Sequence, residues 1–181
     1  MFVEAEIWTI AHTDQGNAVL IKPLGTEIVV PIFIGQLEAQ SILIGLGNVP
    51  MPRPLTHDLF LSMLKRAGME LLKIEITELR EGTFYAQLVL NKKGKEIVLD
   101  ARPSDSIAIA VRKKCPIFIA ESVIDETGIT AGSISKGGPS PIQNPREKEI
   151  ASLERELKRA VEIENYEKAA LIRDKLQKLS Q

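Results

Sequence analysis

The sequence predicts an α+β protein in which two β-rich runs, each of three strands followed by helix, form one curved, mostly antiparallel sheet with helices on one face. A helical hairpin is expected at the C-terminal end. Three observations carry this: strand-like apolar runs punctuated by turn residues, a near-repeat of the same pattern in the second half, and a change to helix-forming text from residue 147 onward.

Taken in order, residues 3–10, 17–22 and 27–33 are rich in β-branched and apolar side chains. Asp14-Gln15-Gly16 and Pro23-Leu24-Gly25 separate them as turns. A helix is expected over 37–46. Beyond the proline-rich stretch 50–54, a second helix is expected over 57–67, stopped by Gly68. Strands resume over 72–79, 83–91 and 96–100, turning at Glu81-Gly82 and Lys93-Gly94. A third helix covers 105–114, and 116–120 reads as a last short strand.

The two halves resemble each other. Glu27-Ile28-Val29-Val30 matches Glu96-Ile97-Val98-Leu99 at an offset of 69 residues, as Gly25 matches Gly94. Gly16 matches Gly82 at 66, which makes the second hairpin three residues longer. An internal duplication of a three-strand-plus-helix unit is expected, its six strands forming one sheet, the alternative being chance agreement between two β-meanders.

Residues 126–146 contain Gly128, Gly132, Gly137, Gly138, Pro139, Pro141 and Pro145 with few large apolar residues, and are expected to be a flexible linker. The expected organisation is therefore a domain over 1–125, the linker, and a hairpin over 147–181. In the last segment Ile150, Leu153, Leu157, Ala160 and Val161 form one apolar helical face. Asn165 interrupts it, and Tyr166, Ala169, Ala170, Ile172, Leu176 and Leu179 begin a second. Two such short helices bury little surface alone, so a protein partner or self-association is expected there.

Composition sets limits. Lys plus Arg is 23 against 24 Asp plus Glu, a net charge of −1, so no global basic field draws the chain onto nucleic acid. A nucleic-acid role then needs a local basic patch or a metal ion offsetting carboxylates. A single cysteine, Cys115, excludes an intrachain disulfide. No apolar run is long enough for a membrane span, and Glu4 and Glu6 stand where a secretory signal carries positive charge. A cytoplasmic protein is expected.

Three segments place polar residues at helix entrances. In Pro31-Ile32-Phe33-Ile34-Gly35-Gln36-Leu37-Glu38-Ala39, Glu38 falls in the first turn of a nearly all-apolar helix. In Pro52-Arg53-Pro54-Leu55-Thr56-His57-Asp58, Thr56 suits the N-cap and Asp58 the second helical position. There His57 shares an inward face with Phe60, Leu61 and Leu64. In Asp100-Ala101-Arg102-Pro103-Ser104-Asp105-Ser106, Ser104 suits the N-cap, Asp105 the first turn, and Arg102 stands just before a helix N-terminus suited to phosphate. Helix capping and dipole complementarity explain Glu38, Thr56, Asp58, Ser104 and Asp105 without any function. Capping does not explain Arg102. An imidazole, anion-binding arginines and carboxylates are together the parts of a phosphodiester-hydrolysing site.

Two resemblances sharpen this. Leu157, Ala160, Asn165-Tyr166-Glu167, Ala169-Ala170 and Ile172-Arg173-Asp174 resemble the UVR motif of the UvrB and UvrC excision-repair proteins, a helical hairpin that pairs with itself or a relative. Ile172 stands where that motif usually has leucine. PIFIGQLEA, RPLTHDLF and ARPSDSIAIAVR, in that order, resemble the signature segments of the bifunctional nuclease domain family. Ser106 stands where that family commonly has alanine. The resemblance implies a two-layer fold with a barrel-like duplicated sheet, nuclease activity on DNA and RNA, and frequent joining to a UVR hairpin.

The expectation is thus a nuclease in which His57, Asp58, Asp105 and Glu38 are catalytic or orienting and Arg53 and Arg102 bind the scissile phosphate. The carboxylates could hold Mg²⁺ or Mn²⁺, although no spacing proves it. Nucleic acid is the expected substrate and a homo-oligomer the expected assembly. Two rival readings are a non-enzymatic module sensing a ligand or nucleic acid and signalling through the hairpin, and a self-associating scaffold.

Overall fold

The structure, a computed structural model, describes residues 1–13, 16–134, 140–141, 172–173 and 175. The chain divides into two compact units, Met1–Pro141 and Ile142–Gln181. The expected hairpin over 147–181 lies outside the described residues, save Ile172, Arg173 and Lys175, which are helical.

The first unit begins with three antiparallel strands, β1 (Phe2–Thr13), β2 (Gly16–Pro23) and β3 (Ile28–Ile34), then helices α1 (Gln36–Leu46) and α2 (Thr56–Arg66). A second meander follows, β4 (Glu70–Arg80), β5 (Thr83–Lys92) and β6 (Lys95–Ala101), leading into α3 (Pro103–Lys113) and β7 (Ile117–Ala120). Then come α4 (Glu121–Thr127), β8 (Ile129–Thr130), α5 (Ala131–Ile134) and β9 (Ser140–Pro141). The duplicated β-meanders expected from sequence are present. Gly25 and Gly94 occupy equivalent turns at φ 75° and 81°, a conformation that costs glycine little.

The strands order as β6-β5-β4-β7-β1-β2-β3-β8, with β9 pairing to β1. Pairing is antiparallel except between β4 and β7. The two meanders do not meet directly, as six contiguous strands would. The short strand β7 stands between them, Phe2–Ala5 on one side and Ile74–Ile76 on the other. Its run Ile117-Phe118-Ile119-Ala120 is apolar enough to be buried from both faces, which suits an interior strand.

Curvature is visible in one packing fact. Helix α4 contacts both β3 and β4, which are far apart in the sheet order, so the sheet curls around it. Val123 of α4 is buried there. The assigned linker therefore begins too early. Residues 126–134 finish α4 and form β8 and α5, and Ile129 and Thr130 pair with Val29 and Ile28. Gly128 caps the end of α4 and Gly132 lies within α5, so neither loosens the chain here.

Helices α1, α2 and α3 form the second layer, α3 lying against both of the others and on β4 and β5. Its Ile107, Ala108, Ile109 and Ala110 are buried, together with Ile42 of α1 and Leu64 of α2. Each of the isoleucine and leucine side chains among them contributes about 1.5–3 kcal/mol. Gly45 permits the α1–α3 approach: a Cβ there would stand 2.5 Å from Val111 Cγ2. Among the described residues no helix is long and apolar enough to cross a membrane.

Candidate active site

The polar residues singled out in sequence occupy one recurrent position. Glu38, Asp58 and Asp105 are each the third residue of their helix, α1, α2 and α3. A negative charge there is stabilised by the positive end of the helix. The helix starts differ from those expected. Leu55, not Thr56, is the N-cap of α2, and Asp58 Oδ2 accepts the Leu55 N–H at 2.9 Å. Arg102, not Ser104, is the N-cap of α3, because Pro103 with its fixed φ begins the helix at N1.

Side chains of the three helices join in one hydrogen-bonded chain. Arg102 donates from Nε to Asp105 Oδ2 (2.8 Å), from Nη2 to Asp105 Oδ1 (3.2 Å) and from Nη1 to Glu38 Oε1 (3.2 Å). His57 Nε2 lies 3.4 Å from Asp105 Oδ1, and its Nδ1 lies 3.0 Å from Ser41 Oγ. Arg112 then donates from Nη2 to the Ser41 carbonyl (3.0 Å) and Ser41 Oγ (3.4 Å), from Nη1 to the Ala108 carbonyl (2.7 Å), and from Nε to Asp58 Oδ1 (3.1 Å). The run Glu38–Arg102–Asp105–His57–Ser41–Arg112–Asp58 is continuous.

Helical periodicity explains the convergence. Glu38, Ser41 and Gly45 are spaced three and four apart, one stripe of α1, while Asp105 and Arg112 lie two turns apart on α3. Facing stripes bring Glu38 to Arg102 and Ser41 to Arg112. His57, in the first turn of α2, reaches both neighbouring helices.

The two arginines are unlike. The Arg112 side chain is only 7% exposed and spends its donors on α1, α2 and its own helix, so it is a strut. Arg102 is 65% exposed. Three of its five N–H groups are engaged, leaving two for an incoming anion. The Asp105 hydrogen bond, followed by its charge, raises the Arg102 pKa above its ordinary value. Partial burial pushes the Asp105 carboxyl up, but the hydrogen bond and charge of Arg102, then His57, outweigh it and hold Asp105 below the usual carboxylate range.

Of the six residues proposed from sequence, Glu38, His57, Arg102 and Asp105 share this cluster, and Asp58 stands at its far end with both oxygens occupied. Arg53 does not join it. Exposed and without a hydrogen bond to a described residue, it lines a cleft of about 450 Å³ with Asn48, Met51, Asp58, Ser62 and Arg112. Ser41 and Arg112 were missed. A serine inside an apolar helix and an arginine in a helix's last turn both have bland explanations, and only the α1–α3 packing reveals them. Cys115 is no rival nucleophile, since burial pushes its thiol up to about 11.

Comparison with known proteins gives matches to two family models, the bifunctional nuclease domain over residues 19–132 and the UvrB/uvrC motif over residues 147–181. An uncharacterized protein of Mycobacterium tuberculosis is 40% identical over 120 residues, 66% of this chain and 71% of that one. The protein named Bifunctional nuclease 2 of Arabidopsis thaliana is 29% identical over 185 residues, 92% of this chain and 56% of its own. Bifunctional nuclease 1 of Oryza sativa subsp. indica is 32% identical over 108 residues, 58% of this chain and 33% of its own.

Proposed function

This chain belongs to the bifunctional nuclease domain family, and from that premise we propose that it hydrolyses phosphodiester bonds of DNA, RNA or both where α1, α2 and α3 converge. The observation that carries the reading is Arg102, exposed, oriented by two carboxylates and hydrogen-bonded through Asp105 to an imidazole. Its two remaining N–H groups bind the scissile phosphate and stabilise the charge that grows on it. Glu38 and Asp105 keep the guanidinium aimed. His57 donates a hydrogen bond to the leaving oxygen as negative charge grows on it, an effect of about 10²–10³ in rate. Asp58 holds Arg112 and the start of α2 in place. Arg53, on the adjoining cleft, contacts a neighbouring phosphate.

Among the described residues no three His, Cys, Asp or Glu side chains form a ready metal cage. Glu38 and Asp105 are already bonded to Arg102, so a Mg²⁺ or Mn²⁺ ion held by them would take the place of that guanidinium, with water and phosphate oxygens as its other ligands. Such an ion, when bound, supplies charge stabilisation at the phosphoryl oxygens.

The decisive experiment compares wild type with His57→Ala, Asp105→Asn and Arg102→Ala on single- and double-stranded DNA and RNA, with and without Mg²⁺. Cleavage by wild type that falls at least about a hundredfold in folded variants supports the reading. Undiminished cleavage in all three removes this cluster from the mechanism.

The UvrB/uvrC match supports a second part of the proposal. Residues 147–181 dock the nuclease unit to a partner helix pair or to another copy of this chain, in a cytoplasmic homo-oligomer. Solution mass with and without residues 142–181 tests it, an unchanged number of copies per particle counting against self-association through the hairpin.

A further inference from the structure

The chain of hydrogen bonds has a direction, and the direction assigns the proton on His57. At one end, Asp105 accepts two bonds from Arg102 and is an ionised, acceptor-only carboxylate. The ring nitrogen facing it, Nε2, must therefore carry hydrogen. At the other end, Arg112 donates to Ser41 Oγ while anchored by Asp58 and two carbonyls. With a lone pair of Ser41 Oγ taken, its own hydrogen is free for His57 Nδ1, 3.0 Å away. The Asp105 end requires this tautomer, and the Ser41 end accommodates it.

We propose that Ser41, held by Arg112, is a positioning residue that fixes neutral His57 as its Nε2–H tautomer, so that the imidazole presents a proton, not a lone pair, on the edge next to Arg102. Ser41 meets the ring on its opposite edge, away from the exposed guanidinium, so it does not touch the reacting atoms. A phosphate on Arg102 then faces an N–H that can shift from Asp105 Oδ1 to the leaving oxygen. As a water attacks phosphorus and the bond from phosphorus to the leaving oxygen breaks, the Nε2–H donates a hydrogen bond to that oxygen and stays on the ring, and the proton lost by the attacking water passes through solvent to the leaving oxygen. The long 3.4 Å contact to Asp105 is the bond that must yield, while the 3.0 Å bond to Ser41 keeps the ring in register. This donor role rests on the phosphodiesterase reading; the tautomer does not.

The test uses the full chain, labelled with ¹⁵N-histidine, carrying His12→Asn so that one imidazole remains. Spectra are recorded near pH ~8, above the titration of free imidazole. Because free imidazole already favours Nε2–H, the informative signal is Nδ1, whose resonance moves from the free lone-pair position when it accepts a hydrogen bond. The expected spectrum has a protonated Nε2 and a displaced Nδ1. Ser41→Ala abolishes the displacement, Ser41→Thr retains it, and Arg112→Lys reduces it. A proton on Nδ1 in the otherwise wild-type protein, or a Ser41→Ala spectrum identical to it, overturns the proposal.

Kinetics on a single-stranded RNA and a single-stranded DNA add a second readout. Ser41→Ala lowers kcat about tenfold with KM unchanged, and Ser41→Thr restores it. The expected spectrum in a protein that cleaves neither strand sinks the nuclease reading and leaves the tautomer assignment standing.

Discussion

Arg102 and Asp105 grip each other in two parallel hydrogen bonds, 2.8 Å and 3.2 Å, across the first turn of α3. The pair is three residues apart in sequence, and Glu38 of α1 completes it from the side. A planar, forked cation is needed to satisfy both carboxylates and still offer donors outward. Arg102→Lys keeps the charge but not the fork. It should lower kcat/KM on nucleic acid at least about tenfold, with Arg102→Ala lower still. Steady-state cleavage rates of the two variants check this, and equal activity of Lys and Arg would remove the geometric role.

The same pair sets a pH dependence of stability. Against the effect of partial burial, Arg102 and then His57 hold the folded Asp105 carboxyl below its ordinary value of 3.8. Its contribution is therefore fully present above that value and is lost as pH falls through the folded pKa. Urea unfolding of wild type and Asp105→Asn should show a constant stability difference at neutral pH. Below about pH 4 the difference should shrink. A difference that widens on acidification would contradict the sign.

Ser106 carries a buried hydroxyl with no partner among the described residues, at 0% exposure in α3. Such an orphan costs about 1–3 kcal/mol. Ser106→Ala should therefore raise stability by about 1 kcal/mol, seen as a higher thermal midpoint. A lower midpoint would reveal a hydrogen bond to a residue outside those described.

Gly45 sits where α1 crosses α3. An added Cβ would meet Val111 Cγ2 at 2.5 Å and Arg112 Nη1 at 2.9 Å. Overpacking costs about 1–3 kcal/mol, more than the ~1 kcal/mol that alanine gains over glycine in a helix. Gly45→Ala should destabilise the protein by denaturant unfolding and also displace the Ser41–Arg112 bond. A neutral result would mean that α1 can shift without loss.

Much of this architecture was legible in sequence for identifiable reasons. Turn glycines and apolar runs marked the two meanders, and short acidic side chains just inside helix starts marked Glu38, Asp58 and Asp105. Cap positions were misread by one or two residues because Thr56 and Ser104 are good capping types, while Pro103 and the backward reach of Asp58 decide the actual boundary. Elements α4 and β8 are too short to show a period. The pairing of Ser41 with Arg112 depends on a crossing of two helices 71 positions apart in the chain, which no local pattern encodes.

The place of β7 has a bearing on how the protein is made. This strand, the seam between the two meanders, is also among the last parts of its unit to leave the ribosome. Each meander can form its hairpins from local contacts as it emerges. Their strands cannot be joined into one sheet until residues 117–120 are available to pair with β1 and β4 at once. Until then the long edges of both stand open to other chains, and a nascent or prematurely terminated polypeptide is most exposed to aggregation in that interval. Four apolar residues near the end of the unit thus govern when the first hundred become a single folded body.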